Sequence, residues 1–277
     1  MSAKSSKISR LGIEAHSMSV AMRDGIAAKL PKLEVCSTTN LVENLRQIKD
    51  REEIAQIEQA IRYAEKAFGV LRATLQPQKT EKQITDDLEH QIRLFGAKDC
   101  AFPSIVAVGP RAALPHAVPT DRRIEQSDFV LVDWGSNEGL YHSDLTRVLV
   151  TGRISPKFAR IYRVVLDAQT KAISAIRPGA KASDVDRVAR QTIEEAGFGR
   201  NFGHGLGHGL GLQVHEMPRL AANSKVVLRP GMVMTVEPGV YLPGWGGVRI
   251  EDDVLVTRTG CRVLTSVAKQ LEETVVS

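Results

Sequence analysis

The chain has 277 residues, 43% hydrophobic and 25% charged, which is ordinary usage for a folded protein and not that of a mainly disordered one. No apolar run approaches the roughly 18 residues needed to cross a bilayer, and the basic N-terminal MSAKSSKISR is not followed by the apolar stretch of a secretory signal. The net charge of +5 is scattered among acidic residues, which argues against a nucleic-acid footprint; Cys36, Cys100 and Cys261 are too few and too far apart for a disulfide framework, so a reducing, cytoplasmic setting is expected.

In chain order, the Ser/Lys-rich first ten residues read as a frayed tail. Leu11–Ala15 reads as a strand, Ser17–Leu30 as a helix and Leu33–Cys36 as a second strand, closed by the turn residues Ser37–Asn40. This βαβ-sized piece is too small to bury a core of its own, so residues 1–45 are set apart from 46–277. Asn44–Leu75 carries Ile54, Ile57, Ile61, Ala64, Phe68 and Leu71 at helical spacing and stops before Pro77. Further helices are expected at Lys82–Phe95, Pro156–Ile176 and Ser183–Ala196, each ended by Gly or Pro-Gly. Strands are expected at Phe129–Asp133, Leu140–Val150, Met232–Val236 and Val248–Thr257. Grouped helices and locally paired strands favour an α+β fold.

Two of these strand pairs carry acidic residues. The midpoint of Asp133 and Asp144 falls at Glu138/Gly139, inside the turn-rich GSNEG, so a hairpin would set the two carboxylates roughly opposite each other. Glu237 and Glu251 flank PGWGG, with their midpoint at Gly244. Four clustered carboxylates cannot all stay ionised in a partly buried place without cations, and two divalent metals would balance them. An imidazole ligand is at hand in FGHGLGHGLG, where His204 and His208 sit among glycines expected to allow close approach to a ligand or positive φ. His215 follows in VHE, and His116 lies in LPHAVP, a loop stiffened by its prolines. His16, His90 and His142 read as ordinary packing or surface residues, and Trp134 and Trp245 as packing residues.

The stretches LPHAVPT, LVDWGSNEGLYHSDLTRVLVTG, FGHGLGHGLGLQVHEMPRL and MVMTVEPGVYLPGWGGVRIEDDVLVT resemble the pita-bread metallopeptidases, in the branch holding Xaa-Pro aminopeptidase and prolidase, from about Leu45 to the C-terminus. The resemblance implies a pita-bread α+β domain preceded by only the last piece of a larger N-terminal α/β domain, and a homodimer. It implies Asp144 and Glu251 as bridging ligands, with Asp133 on one metal and His208 with Glu237 on the other. Mn²⁺ is the expected ion, with Co²⁺, Zn²⁺ and Fe²⁺ as alternatives. Glu237 is implied as proton acceptor, His116 and His215 as oxyanion and imide contacts, and His204 as part of the substrate side. The implied substrates are peptides with proline second. Arg219, four residues after His215, is where some prolidases bind the substrate carboxylate. Arg249, two before Glu251, is placed to brace the metal carboxylates and is carried with Arg219 as a substrate-contact candidate. The rivals are a methionine aminopeptidase, against which the run HGLGHGLGLQVHE and the small N-terminal unit argue, and a metal-free creatinase-type amidinohydrolase and a non-catalytic peptide-binding module, against which the intact five-ligand set argues.

Overall fold

In the computed structural model, which describes residues 8–124 and 129–276, the chain divides into two compact units, Met1–Leu45 and Arg46–Ser277. The first contains β1 (Arg10–Glu14), α1 (Val20–Lys29) and β2 (Glu34–Thr38). The strands pair in parallel from Arg10↔Glu34 to Glu14↔Thr38, and Ser19 caps α1 by accepting from the Met22 amide. α1 buries none of its residues within the chain. The expected frayed tail lies largely outside the described residues. A short helix, α2 (Leu41–Arg46), runs across the junction.

The long helix starts later than its apolar periodicity predicts. α3 spans Arg51–Thr74, because Asp50 accepts from the Glu52 and Glu53 amides while the Glu53 carboxylate accepts from the Asp50 amide. Such a capping box contributes about 1 kcal/mol and sets the start in preference to upstream hydrophobics. Ile57, Ile61, Ala64, Phe68 and Leu71 form its buried stripe. α4 (Glu81–Leu94) is capped by Thr80 in the same way and buries Ile84, Leu88 and Ile92. These two helices back a three-stranded antiparallel sheet of β4 (Ile105–Val108), β5 (Phe129–Trp134) and β8 (Leu145–Val150). Trp134 is fully buried, stacks on Phe68 at 4.2 Å and donates its indole N–H to the Ala64 carbonyl. A small second sheet joins β3 (Asp99–Cys100), β6 (Ser136–Glu138) and β7 (Tyr141–His142).

The second half repeats the plan. α5 (Pro156–Ala175) and α6 (Ala182–Glu195) precede a five-stranded sheet in the order β10-β9-β11-β14-β15. Its strands are β9 (Gly207–Gly209), β10 (Glu216–Leu220), β11 (Val233–Val236), β14 (Asp252–Val256) and β15 (Cys261–Val263), with β12 (Gly239–Leu242) and β13 (Gly246–Arg249) forming the outer part of the hairpin. The expected strands Leu140–Val150 and Val248–Thr257 are each broken, the first at Ser143–Asp144 and the second at Ile250–Glu251. Both breaks fall at acidic residues.

Register explains the breaks. The first hairpin pairs Phe129↔Val150 through Trp134↔Leu145 and resumes at Asn137↔His142 in the same register. Asp133 therefore faces Thr146, and Asp144 falls opposite Gly135, two residues from the direct opposition expected of the two Asp residues. The second hairpin pairs Val233↔Leu255 through Val236↔Asp252 and resumes at Gly239↔Arg249, so Glu237 and Glu251 sit opposite one another in the gap. An antiparallel bridge, Thr146↔Glu251, joins the two hairpins at this point.

Candidate active site

The gaps in the two hairpins open the ladder where side chains of opposite strands can converge. Asp133 is the next-to-last paired residue of β5, Asp144 precedes β8, Glu237 follows β11 and Glu251 precedes β14. β9 threads between β10 and β11 and delivers His208 to the same place. The glycines around it serve this threading and have no positive φ. A Cβ on Gly207 would lie 2.1 Å from the Thr235 carbonyl oxygen, and one on Gly209 would lie 2.2 Å from that of Met217. Their role is close approach to neighbouring strands, in place of the ligand contact or special backbone expected of them.

One ligand atom each from Asp144, His208 and Glu251 lies within 4.8 Å of the others. His208 Nε2 is 3.3 Å from Glu237 Oε1 and 3.6 Å from Asp144 Oδ2. Asp133 Oδ2 accepts from Arg249 Nη2 at 2.5 Å, while its Oδ1 is buried with no hydrogen-bond partner. All five predicted ligand residues thus come together. Arg249 is buried and donates also to Thr146 and Tyr241.

The electrostatics are those of an uncompensated acidic pocket. Burial, reinforced by Glu251, Asp133, Asp253 and Glu237, pushes Asp144 well above the usual carboxylate range, and burial with repulsion from Glu237 and Asp133 does the same to Glu251. Burial raises Glu237 to about 8 despite the nearby Arg249 charge, and raises Asp133 as well. Burial lowers His208 to about 3 and His204 to about 4, so both imidazoles are neutral and keep a lone pair. Four carboxylates facing one arginine, an orphaned carboxylate oxygen and a neutral imidazole suit hard or borderline divalent cations, and the residues fit them.

The site opens into a cavity of about 660 Å³, whose lining includes His116, His204, His215, Arg219 and Tyr241 beside the acidic residues. His204 Nδ1 donates to the Gly205 carbonyl at 2.7 Å, which leaves Nε2 to accept from the Tyr241 hydroxyl at 2.9 Å; that hydroxyl accepts in turn from Arg249 at 3.0 Å. His215 packs edge-on against His208, with ring centroids 4.2 Å apart. Arg219 pairs with His208 across β10 and β9, is exposed, and has no hydrogen-bond or ion-pair partner among the described residues.

Each accessory histidine stands on a loop tied down by a buried acid. Asp186 and Arg190, an i,i+4 pair on α6, hold the Leu206 amide and the Phe202 and His204 carbonyls. Glu216 binds Arg46 and the buried Lys49, both at 2.6 Å, next to His215. Glu81 holds the loop of His116. None of these acids, nor Tyr241, stood out from sequence alone; for Tyr241 the available signal was its place four residues after Glu237 on the same hairpin. His142 has both ring nitrogens engaged, to Gly211 and Asn137, and lies off the cavity, while His16 and His90 are exposed.

A pita-bread fold with four converging carboxylates and one imidazole defines a metal-dependent hydrolase. Residues 55–258 match Metallopeptidase family M24, and the chain belongs to that family. It is 41% identical to the Xaa-Pro dipeptidase of Pyrococcus furiosus over 261 residues, 94% of this chain and 75% of that protein. Among solved structures, the X-Pro aminopeptidase of Thermotoga maritima superposes with a TM-score of 0.92 at 37% identity, covering 95% of this chain and 75% of that one. The prolidase of Pyrococcus furiosus gives 0.87 at 41% identity, covering 94% and 76%. Members of this family use divalent metal ions, in keeping with the cluster formed by Asp144, His208 and Glu251.

Proposed function

We propose that the chain hydrolyses the bond between an N-terminal residue and a following proline. The observation that carries this reading is the buried Asp133, Asp144, His208, Glu237 and Glu251 cluster facing a cavity with three further histidines, in a family whose similar members bear the names Xaa-Pro dipeptidase and X-Pro aminopeptidase. Asp133, Asp144, His208, Glu237 and Glu251 would hold the ions, with Asp144 and Glu251 as the shared ligands in this reading and Mn²⁺ as the proposed metal. When bound, the ions supply Lewis acidity toward the carbonyl and a water.

The side chains have separate tasks in this scheme. Glu237, held by the Thr235 hydroxyl at 3.2 Å, takes the proton of the attacking water on a carboxylate oxygen. His116 and His215 face the cavity and offer ring N–H groups to the carbonyl oxygen as it gains charge. His204 forms a wall and has no free N–H for substrate, because Gly205 and Tyr241 engage both its nitrogens. Arg219, unpaired at the cavity edge, receives the carboxylate of a dipeptide. Arg249 is committed to Asp133, Tyr241 and Thr146, which favours bracing over substrate contact.

A cytoplasmic location and a homodimer are proposed with this reading. The three free cysteines support the first, and no helix among the described residues is long and apolar enough to cross a membrane. The direct test is hydrolysis of Ala-Pro, Ala-Pro-Ala and Met-Ala-Ser with Mn²⁺ and after chelation. Metal-dependent cleavage before proline is expected; faster cleavage of Met-Ala-Ser would move the chain to methionine aminopeptidase activity, and lack of any metal uptake would favour a binding module. Arg219→Ala should lower kcat/KM for Ala-Pro about tenfold with a smaller loss for Ala-Pro-Ala. Equal losses would remove Arg219 from dipeptide recognition.

A further inference from the structure

His116 makes no side-chain hydrogen bond among the described residues, and it is exposed on a loop whose neighbours Leu114 and Val118 are 54% and 76% exposed. Its own surroundings therefore do not hold it in place. The loop is anchored elsewhere. Glu81, the first residue of α4, is completely buried, and its carboxylate gathers donors from both ends of the segment. Oε1 accepts from the Val108 amide at 2.8 Å, where the chain leaves β4. Oε2 accepts from the Thr120 amide at 2.8 Å and the Thr120 hydroxyl at 2.7 Å, where the loop ends. Arg111 Nε lies 3.0 and 2.9 Å from the two oxygens, and Arg111 Nη2 reaches on to the Val118 carbonyl at 2.5 Å. The backbone seals the same junction, with the Glu81 amide donating to the Arg122 carbonyl and the Lys82 amide to that of Thr120.

We infer that Glu81 is a positioning residue for His116: one buried carboxylate, through Val108, Arg111 and Thr120, fixes both feet of the 109–119 loop and so the place of the imidazole over the cavity. A buried carboxylate with donors for both oxygens is rigid, whereas one that loses its charge leaves several of those donors weakly satisfied. A displacement of the loop by about 1 Å is enough to cost a large factor in rate with no contact between Glu81 and substrate. This inference rests on the Xaa-Pro reading for its kinetic consequence but not for its structural one.

The test is a double-mutant cycle on Ala-Pro hydrolysis with Mn²⁺, paired with amide hydrogen exchange. Glu81→Gln should lower kcat/KM about tenfold in the native background and cause no further loss in a His116→Ala background. Exchange of amides in 109–119 should quicken in Glu81→Gln while α5 and α6 keep their protection. Equal losses in both backgrounds, or unchanged exchange in the loop, overturn the assignment. Should Glu81→Gln fail to fold, Thr120→Val removes one donor from the same carboxylate and goes through the same cycle, with a loss of a few-fold that is likewise absent without His116. If the native chain does not cleave Ala-Pro, the functional reading fails, and the exchange measurement still decides whether Glu81 holds the loop.

Discussion

The hairpins β5–β8 and β11–β14 each keep a single register across a break, and each delivers two carboxylates, yet they present them differently. In the second, Glu237 and Glu251 oppose one another inside the gap. In the first, Asp144 lies opposite Gly135 in the gap, while Asp133 remains in the ladder facing Thr146. The difference follows from what closes each gap. A Cβ on Gly135 would sit 1.9 Å from the Ser143 carbonyl oxygen, so the strands approach there too closely for a side chain. The second gap has room for two glutamates, whose longer side chains reach the cluster from directly opposed positions. Offset aspartates and opposed glutamates thus converge from two sides on His208. The hairpins are then tied across, by Arg249 of the second to Asp133 of the first and by Thr146 of the first to Glu251 of the second.

The largest way to break this arrangement is to remove a carboxylate from either gap. Asp144→Ala and Glu251→Ala should each abolish metal retention and lower Ala-Pro turnover by about a thousandfold or more. Metal analysis after dialysis, measured beside kcat/KM, checks this. Full turnover in either variant would remove that residue from the centre.

Much of this was legible before the structure. The turn residues of PGWGG and the equal spacing of Glu237 and Glu251 about Gly244 place that pair correctly, because a tight hairpin converts sequence symmetry into spatial opposition. The same arithmetic sets the centre of the first hairpin one residue too early and so misaligns the aspartates by two, since the true centre lies between Gly139 and Leu140 and the break hides the slip. β9 was illegible for another reason. A Gly-His-Gly strand has poor intrinsic β propensity and exists only because two neighbouring strands leave space for nothing larger. The anchoring acids were invisible because Glu81 and Asp186 look like ordinary polar positions at a helix start and on a helix face, and only the tertiary fold shows that they are buried. By contrast, the start of α3 was available in Asp50-x-x-Glu53, a signal that the longer apolar periodicity obscured.

A second pair of variants separates close approach from turn strain. Gly135→Ala should destabilise by about 3 kcal/mol, because the new methyl must push the Ser143 backbone and with it Asp144. Gly244→Ala, at the tip of the other hairpin with φ +78° and open space around it, should cost only about 1 kcal/mol from its left-handed backbone. Thermal melting of the metal-free proteins compares them. Equal costs would mean that the first gap is more pliable than its geometry implies.

The smallest expected difference is also the sharpest, because the two hairpins share one more device. Thr146 accepts from Arg249 Nε at 3.0 Å and donates to Glu251 Oε2 at 2.5 Å. Thr235 accepts from the His208 amide at 3.1 Å and donates to Glu237 Oε1 at 3.2 Å. Each hydroxyl therefore links a carboxylate of the cluster to a second group of the site, but Thr146 joins two residues of the other hairpin, whereas Thr235 joins a carboxylate of its own hairpin to the backbone of β9. Thr146→Val should cost about 2 kcal/mol and loosen the cross-tie, and Thr235→Val about 1 kcal/mol, acting through His208. Mn²⁺ titration of both variants gives the order: affinity should fall further for Thr146→Val, since Glu251 loses a short hydrogen bond and Arg249 loses one of the contacts that aim it at Asp133. The reverse order would place the weight of the assembly on the strand that carries His208, leaving the tie between the hairpins secondary.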